Sequence, residues 1–382
     1  MEKTKKILIV AGEASGDLHA ANLVAAVNRK FPRAEWFGLG GSLMRKTGVD
    51  VRFDLTGIAV VGFWEVLKNL ARFKRIFADI VGRAEEEKPD LAILVDYPGF
   101  NLRLAKELAL RNIPVFYYIS PQVWAWGAER IRAIRASVAR MIVFFDFEER
   151  LYRAAGVPVS FVGHPLLDTA RASVPRETFL RDCRLSPGKL TVALLPGSRE
   201  KEVKSLLPVM VRCSSIIRDY LDDRVQFVVL RSSTVKEKVY SRFLAGSDLP
   251  VKLVTDRTYD ALGASDAALV CSGTATLETA LMHVPMAIVY KVSFLTWCLA
   301  RLAIRIPYIG LVNVVKGRQI VPEFIQFDAD PEKICDYFLS LLQDKAARAR
   351  MRSDLESVGP ALGEPGATDR AASIIVDFLR QS

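Results

Sequence analysis

The sequence predicts an α/β fold made of two doubly wound, Rossmann-like halves laid out one after the other. Short apolar, β-branched runs alternate with helical stretches, which is the pattern of a parallel sheet with crossover helices. The pattern restarts after Gly163-His164-Pro165. The length of 382 residues suits two domains at about 150 residues each.

In the first half, residues 7–11 (ILIVA) form a buried strand ended by Gly12. A helix follows from about Asp17, placed as its N-cap, to Val27. Residues 36–39 form a second strand, with glycines 38, 40 and 41 marking the turn after it. Leu91–Val95 is a strand ended by Asp96, Pro98 and Gly99, and residues 101–111 follow as a helix. Residues 114–119 and 141–145 are further strands. In the second half Leu190–Leu195 is a strand, and a helix runs from the turn after it to about residue 218. Strands are predicted over 225–230, 251–253, 267–270 and Met286–Tyr290. The last helix, over 369–380, carries Ala372, Ile375, Val376 and Leu379 at helical spacing, so its apolar face must dock on another element.

Composition narrows the function classes. Hydrophobic residues make up 51% and charged residues 25%, too apolar for a disordered chain. The five cysteines are scattered with no CxxC pair, which excludes a disulfide scaffold or zinc ribbon and fits a reducing compartment. Three histidines argue against a His-rich metal site. The formal charge of +10 favours an anionic partner: nucleic acid, a phosphorylated small molecule or an anionic membrane surface. Mean hydropathy is high at +0.19. No uncharged apolar run reaches the roughly 18 residues a spanning helix needs. The nearest, residues 267–290, is interrupted by Glu278, His283 and Pro285. The N-terminus reads as a strand and loop, not a signal peptide.

Ligands of open parallel sheets bind at the carboxyl ends of strands, so the loops there carry the functional reading. The first, Gly12-Glu13-Ala14-Ser15-Gly16-Asp17, is not GxGxxG, and its two acids argue against a pyrophosphate. It is either a tight turn with an Asp cap or a loop that holds a sugar or its phosphate through Ser15 and backbone N–H groups. The second is Asp96-Tyr97-Pro98-Gly99-Phe100-Asn101, where a strand-end carboxylate is placed as a general base or caps a turn. In the third, Ser120-Pro121-Gln122-Val123-Trp124-Ala125-Trp126-Gly127, the tryptophans suit a sugar face or an acyl chain, or plug the core.

In the second half, Pro196-Gly197-Ser198-Arg199 opens a helix. Small residues at a helix N-terminus plus a forked Arg donor make an anion site. Ser272-Gly273-Thr274 also follows a strand and starts a helix, and Glu278 lies one turn further in, where it accepts ribose hydroxyls or serves as a cap. Two phosphate-competent helix starts in one half are more specific than either alone.

The strings AGEASGDLHAA, PGFN, YYISPQVWAWG, FVGHPL, LLPGSR and SGTATLE, in this order, resemble the lipid-A-disaccharide synthase family nearly end to end. The resemblance implies an inverting glycosyltransferase of the GT-B fold, with the last helix crossing back to the first domain. Residues 1–165 would bind the acceptor, 166–365 the UDP-sugar, and 366–382 would form the returning helix. The implied reaction joins UDP-2,3-diacylglucosamine to 2,3-diacylglucosamine 1-phosphate by a β-1,6 bond and releases UDP. It uses no cofactor and no metal, so Arg199 and helix N-termini would neutralise the departing diphosphate. Asp96 would be the base. Ser198, Arg199, Ser272, Gly273, Thr274, Glu278 and Asn313 fall to the nucleotide-sugar, and Glu13, Ser15, Gln122 and Trp124 to the acceptor.

Acylated substrates also imply a protein in the cytoplasm that attaches peripherally to the inner membrane. Residues 60–80 have an apolar helical face, with Val60, Val61, Phe63, Trp64 and Leu67 the first candidates for an anionic bilayer; the bland reading is a crossover helix on the sheet. The oligomeric state stays open, a homodimer included. The competing readings are a non-hydrolysing UDP-N-acetylglucosamine 2-epimerase, a dehydrogenase, which the missing GxGxxG weighs against, and a nucleic-acid binder, which lacks a recognised motif.

Overall fold

The computed structural model describes residues 3–55, 63–124, 129–222, 224–247, 249–293, 297 and 307–381, with backbone only over 63–70 and at 129. Two compact units emerge: residues 1–165 together with 363–382, and residues 166–362.

The first unit is a parallel sheet of seven strands: β1 (Lys5–Ala11), β2 (Ala34–Gly40), β3 (Asp50–Asp54), β4 (Leu91–Val95), β5 (Val115–Tyr118), β6 (Arg140–Val143) and β7 (Val159–Phe161). Their order across the sheet is β3-β2-β1-β4-β5-β6-β7. Residues 7–11 and 91–95 are fully buried, as expected of central strands covered on both faces, and this is why they read as unbroken apolar runs. The helices between them are α1 (Ala14–Lys30), α2 (Ser42–Lys46), α3 (Phe63–Glu87), α4 (Pro98–Ala109), α5 (Glu129–Ser137) and α6 (Asp146–Ala154). In α3, Ile76, Ile80 and Ala84 are core residues and Phe73 and Phe77 pack on it, so the described part of this amphipathic helix is a crossover helix. The bilayer candidates Val60, Val61, Phe63, Trp64 and Leu67 lie outside the described residues or side chains.

The second unit has six parallel strands: β8 (Leu190–Leu195), β9 (Val225–Arg231), β10 (Val251–Thr255), β11 (Ala267–Cys271), β12 (Met286–Tyr290) and β13 (Glu323–Ile325), in the order β10-β9-β8-β11-β12-β13. Its helices are α7 (Leu166–Thr169), α8 (Arg176–Asp182), α9 (Glu200–Leu221), α10 (Glu237–Leu244), α11 (Thr258–Gly263), α12 (Thr274–Leu281), α13 (Leu311–Lys316), α14 (Pro331–Gln343), α15 (Lys345–Glu356) and α16 (Val358–Ala361).

The last helix, α17 (Ala367–Gln381), belongs to the first unit and lies along α1. Ala371, Ala372, Ile375, Val376 and Leu379 are buried there. Each of its large apolar side chains contributes about 1.5–3 kcal/mol on burial. Arg370 locks the approach by donating from Nε to the Val162 carbonyl at 2.9 Å.

Two expectations need correction. Asp17 does not cap α1, which begins three residues earlier with Glu13 at the N-cap. Asp17 sits inside the helix, 3% exposed, and its carboxylate accepts the N–H groups of Gly41, Leu43 and Met44 at 2.8–3.1 Å. It therefore caps α2 from a distance, satisfying N–H groups a short helix leaves open. Strands β3, β7 and β13 were not expected from the sequence. They are short edge strands (DVRFD, VSF, EFI), and edges tolerate the polar, low-contrast composition that hides them.

Candidate functional site

In the first unit the strand order reverses between β1 and β4, whose chain-neighbour strands lie on opposite sides. Loops leaving a sheet at such a switch point part from each other and leave an opening at the carboxyl ends. The pairing Ala11↔Val95 aligns the two strand ends, so the Gly12–Asp17 and Asp96–Asn101 loops leave side by side.

Asp96 and Tyr97 both have positive φ, 46° and 51°, a left-handed conformation uncommon for non-glycine residues. Hydrogen bonds hold the strained pair. Asp96 N donates to Tyr118 O at 2.9 Å, while Asp96 O accepts from Tyr117 Oη at 2.7 Å and from Asn101 Nδ2 at 2.8 Å. Asn101 is thus a fully buried brace within α4, not its cap. Pro98 at the start of α4 suits a position with no N–H partner. Gly12 is required because a Cβ there would stand 2.2 Å from the Tyr97 ring. Burial, aided by the Glu13 charge, raises the Tyr97 phenol above its ordinary range. Ser15 is exposed in the first turn of α1. Glu13, Ser15 and Asp96 therefore lie together at the carboxyl end of one sheet.

The third loop leaves β5, the next strand over. Pro121 and Val123 are buried, Gln122 is exposed, and Trp124 is half-buried edge-on to Phe147, with ring centroids 5.4 Å apart. Trp126 lies outside the described residues.

In the second unit the order reverses between β8 and β11, and both phosphate-competent loops follow those strands. Gly197 has φ 110°, and the N–H groups of Ser198 and Arg199 both donate to Glu202 Oε2 at 3.1 Å. Arg199 Nη1 reaches Glu202 Oε1 at 3.1 Å. The cradle at the start of α9 thus holds a carboxylate of its own helix, and an entering phosphate would compete for the same donors. Ser272 Oγ donates to Ile309 O at 2.9 Å. Gly273 precedes α12 with φ 137°, and Thr274 is exposed. Glu278 Oε1 accepts from Tyr259 Oη at 3.0 Å, and burial raises its carboxyl above the usual range.

Asn313 lies in α13, which packs on α12. It is fully buried, donates from Nδ2 to Val321 O and Glu323 Oε1, and accepts from the N–H groups of Ile320 and Val321. These bonds make it a brace between α13 and the segment leading into β13. Contact with a sugar would cost it part of this set. Sequence reasoning missed Tyr97, Glu202, Tyr259 and Glu323, which orient the chosen residues. Of these only Glu202, three residues into a helix after a Ser-Arg turn, had a local signal.

Two parallel doubly wound units, each with its candidate residues at the switch point, define the GT-B class of fold. Solved neighbours carry the same fold: a UDP-GlcNAc 2-epimerase from Neisseria meningitidis, with TM-score 0.62, 13% identity and coverage of 99% of this chain and 100% of that one, and the calicheamicin glycosyltransferase CalG4, with TM-score 0.59, 16% identity and 99% of each chain covered. Residues 7–375 match the family model for lipid-A-disaccharide synthetase. The lipid-A-disaccharide synthase of Syntrophus aciditrophicus is 46% identical over 380 residues, 99% of each chain. The chain belongs to the lipid-A-disaccharide synthase family and is an enzyme of the glycosyltransferase class.

Proposed function

We propose that the protein transfers 2,3-diacylglucosamine from UDP to the 6-hydroxyl of 2,3-diacylglucosamine 1-phosphate, forming the β-1,6 disaccharide 1-phosphate and releasing UDP. The observation that carries the reading is Asp96, a carboxylate at the switch point of its sheet, on a strained backbone tied down by Tyr117, Tyr118 and Asn101. Backbone bonds fix the residue at the strand end, as a general base needs.

In this scheme Asp96 takes the proton of the acceptor hydroxyl as its oxygen attacks the anomeric carbon. The bond to the UDP oxygen breaks on the opposite face, so the configuration inverts. Glu13, Ser15, Gln122 and Trp124 contact the acceptor. Arg199 and the N–H groups opening α9 and α12 meet the charge on the leaving diphosphate. Glu278 accepts from the ribose, with Tyr259 as its present donor. The scheme needs no metal or cofactor.

The test is transfer from labelled donor to acceptor in detergent. Asp96→Asn should slow turnover roughly 100-fold or more, because general-base catalysis contributes 10²–10⁴. Normal turnover in that variant would remove Asp96 from the scheme. A chelator should leave transfer unchanged, and loss restored by magnesium would contradict metal independence.

No helix among the described residues is long and apolar enough to cross a membrane. The acyl chains of both substrates favour a protein held peripherally at the inner-membrane surface, since exposing each CH₂ costs about 0.8 kcal/mol. Failure to co-sediment with anionic vesicles would count against this.

A further inference from the structure

One buried carboxyl has no part in the scheme above. Glu148 lies in the first turn of α6 and is 3% exposed. Its carboxyl faces four donors: the backbone N–H groups of Phe144 and Phe145, the Ser120 hydroxyl and the Trp124 indole N–H. The first two lie just before its own helix, Phe145 being the N-cap, and resemble ordinary helix capping. The last two belong to the loop after β5, 24 to 28 residues earlier in the chain. Trp124 Nε1 is buried beside Glu148 without closing a direct hydrogen bond. The indole ring rests edge-on against Phe147, the residue before Glu148, and Phe147 in turn stacks on Phe145 at 5.2 Å. Ser120 Oγ is also 2.9 Å from Tyr152 Oη, one turn further along α6. Both ends of the Ser120–Trp124 loop therefore rest on one helix, Ser120 at Tyr152 and Trp124 at Phe147, on either side of Glu148 in sequence.

We propose that Glu148 is a positioning residue: its buried carboxyl ties the Ser120–Trp124 loop to the first turn of α6 and so sets how Gln122 and Trp124 meet the acceptor sugar. The second clause rests on the reading of Gln122 and Trp124 as acceptor contacts. Burial pushes the Glu148 carboxyl up to about 8, so at neutral pH it is mostly protonated. A neutral acid has one hydrogen to donate and one oxygen to accept, and a glutamine amide reproduces both. A leucine of similar volume reproduces neither and takes away the polar group that faces Ser120 and Trp124. Chemistry through a charge would give the opposite result, with glutamine as damaging as leucine.

The test uses the full chain with Glu148→Gln, Glu148→Leu and Ser120→Ala. Amide hydrogen exchange is followed over residues 119–128, and KM is measured separately for donor and acceptor. Glu148→Leu should speed exchange in that loop and raise acceptor KM roughly tenfold, the scale of one buried hydrogen bond left unmade, with donor KM unchanged. Glu148→Gln should restore both to near wild type. Ser120→Ala keeps the helix intact but also removes the bonds to Pro121 O and Tyr152 Oη, so it reports on the seat of the loop, and the glutamine variant on the carboxyl itself. Unchanged loop exchange in Ser120→Ala and in a folded Glu148→Leu, or glutamine behaving like leucine, overturns the positioning role. Faster loop exchange with acceptor and donor KM both unmoved leaves Glu148 seating the loop and ends the claim on the acceptor. Wild-type protein with no transfer at all ends the function reading, while the exchange result still decides whether Glu148 holds the loop.

Discussion

Glu148 and His164 titrate out of step with the unfolded chain, in opposite senses. Burial raises Glu148 from an ordinary 4.5 to about 8, so between these values the folded state holds a proton the unfolded state has lost. Stability therefore falls as pH rises through that window. Burial, with a smaller effect from His19, lowers His164 from 6.5 to about 3. The unfolded state then binds the extra proton, and stability falls as pH drops below 6.5. Between pH 6.5 and 8 Glu148 acts without opposition from His164. The melting temperature of Glu148→Gln should thus fall less over pH 6.5–8 than that of the wild type. Parallel curves would mean an ionised Glu148. In the second unit, Arg199→Ala should weaken UDP binding about tenfold by calorimetry, the scale of a charge-assisted hydrogen bond. Equal affinity would leave the diphosphate to other groups. Asp96 was legible as a strand-end acid before Pro-Gly, but its left-handed backbone was not, because Tyr117 and Tyr118 on a neighbouring strand hold it. Glu148 read as an ordinary polar residue for the same reason: its surroundings come from tertiary packing.

At the scale of elements, central strands were plain because burial on both faces demands continuous apolar runs, while edge strands were not. The loops after β1, β4, β8 and β11 were picked for their place after a strand and for the residues they carry. Strand order then placed them in pairs at the two switch points, a fact of topology that no local pattern carries. Asp17 shows how a local rule misleads: a first-turn acid after a glycine reads as a cap, yet its three partners lie 24 to 27 residues on. Asp17→Ala would leave those N–H groups without an acceptor, two of the three bonds being fully buried. A loss of about 2 kcal/mol or more is expected in denaturant unfolding of the first unit. A loss under about 0.5 kcal/mol would show that water takes the place of the carboxylate.

For the whole molecule, the first unit is discontinuous in sequence, closed by a segment that arrives after the second unit is complete. Removing residues 363–382 should strip α1 of its cover and unfold the first unit while the second survives. Proteolysis should then leave a resistant fragment starting near residue 166, and an equally resistant first unit would contradict this. The same arrangement orders events during synthesis. The ribosome finishes residues 1–165 early, but the segment that carries α17 follows only after another 197 residues, about 10 to 40 s later at 5–20 residues per second. Until then the half that carries Asp96 waits with an open seam along α1, and the later-made half has every residue it needs first. A chain that stops before residue 363 holds all of the second unit and a first unit with a bare apolar seam along α1, which degradation machinery can recognise.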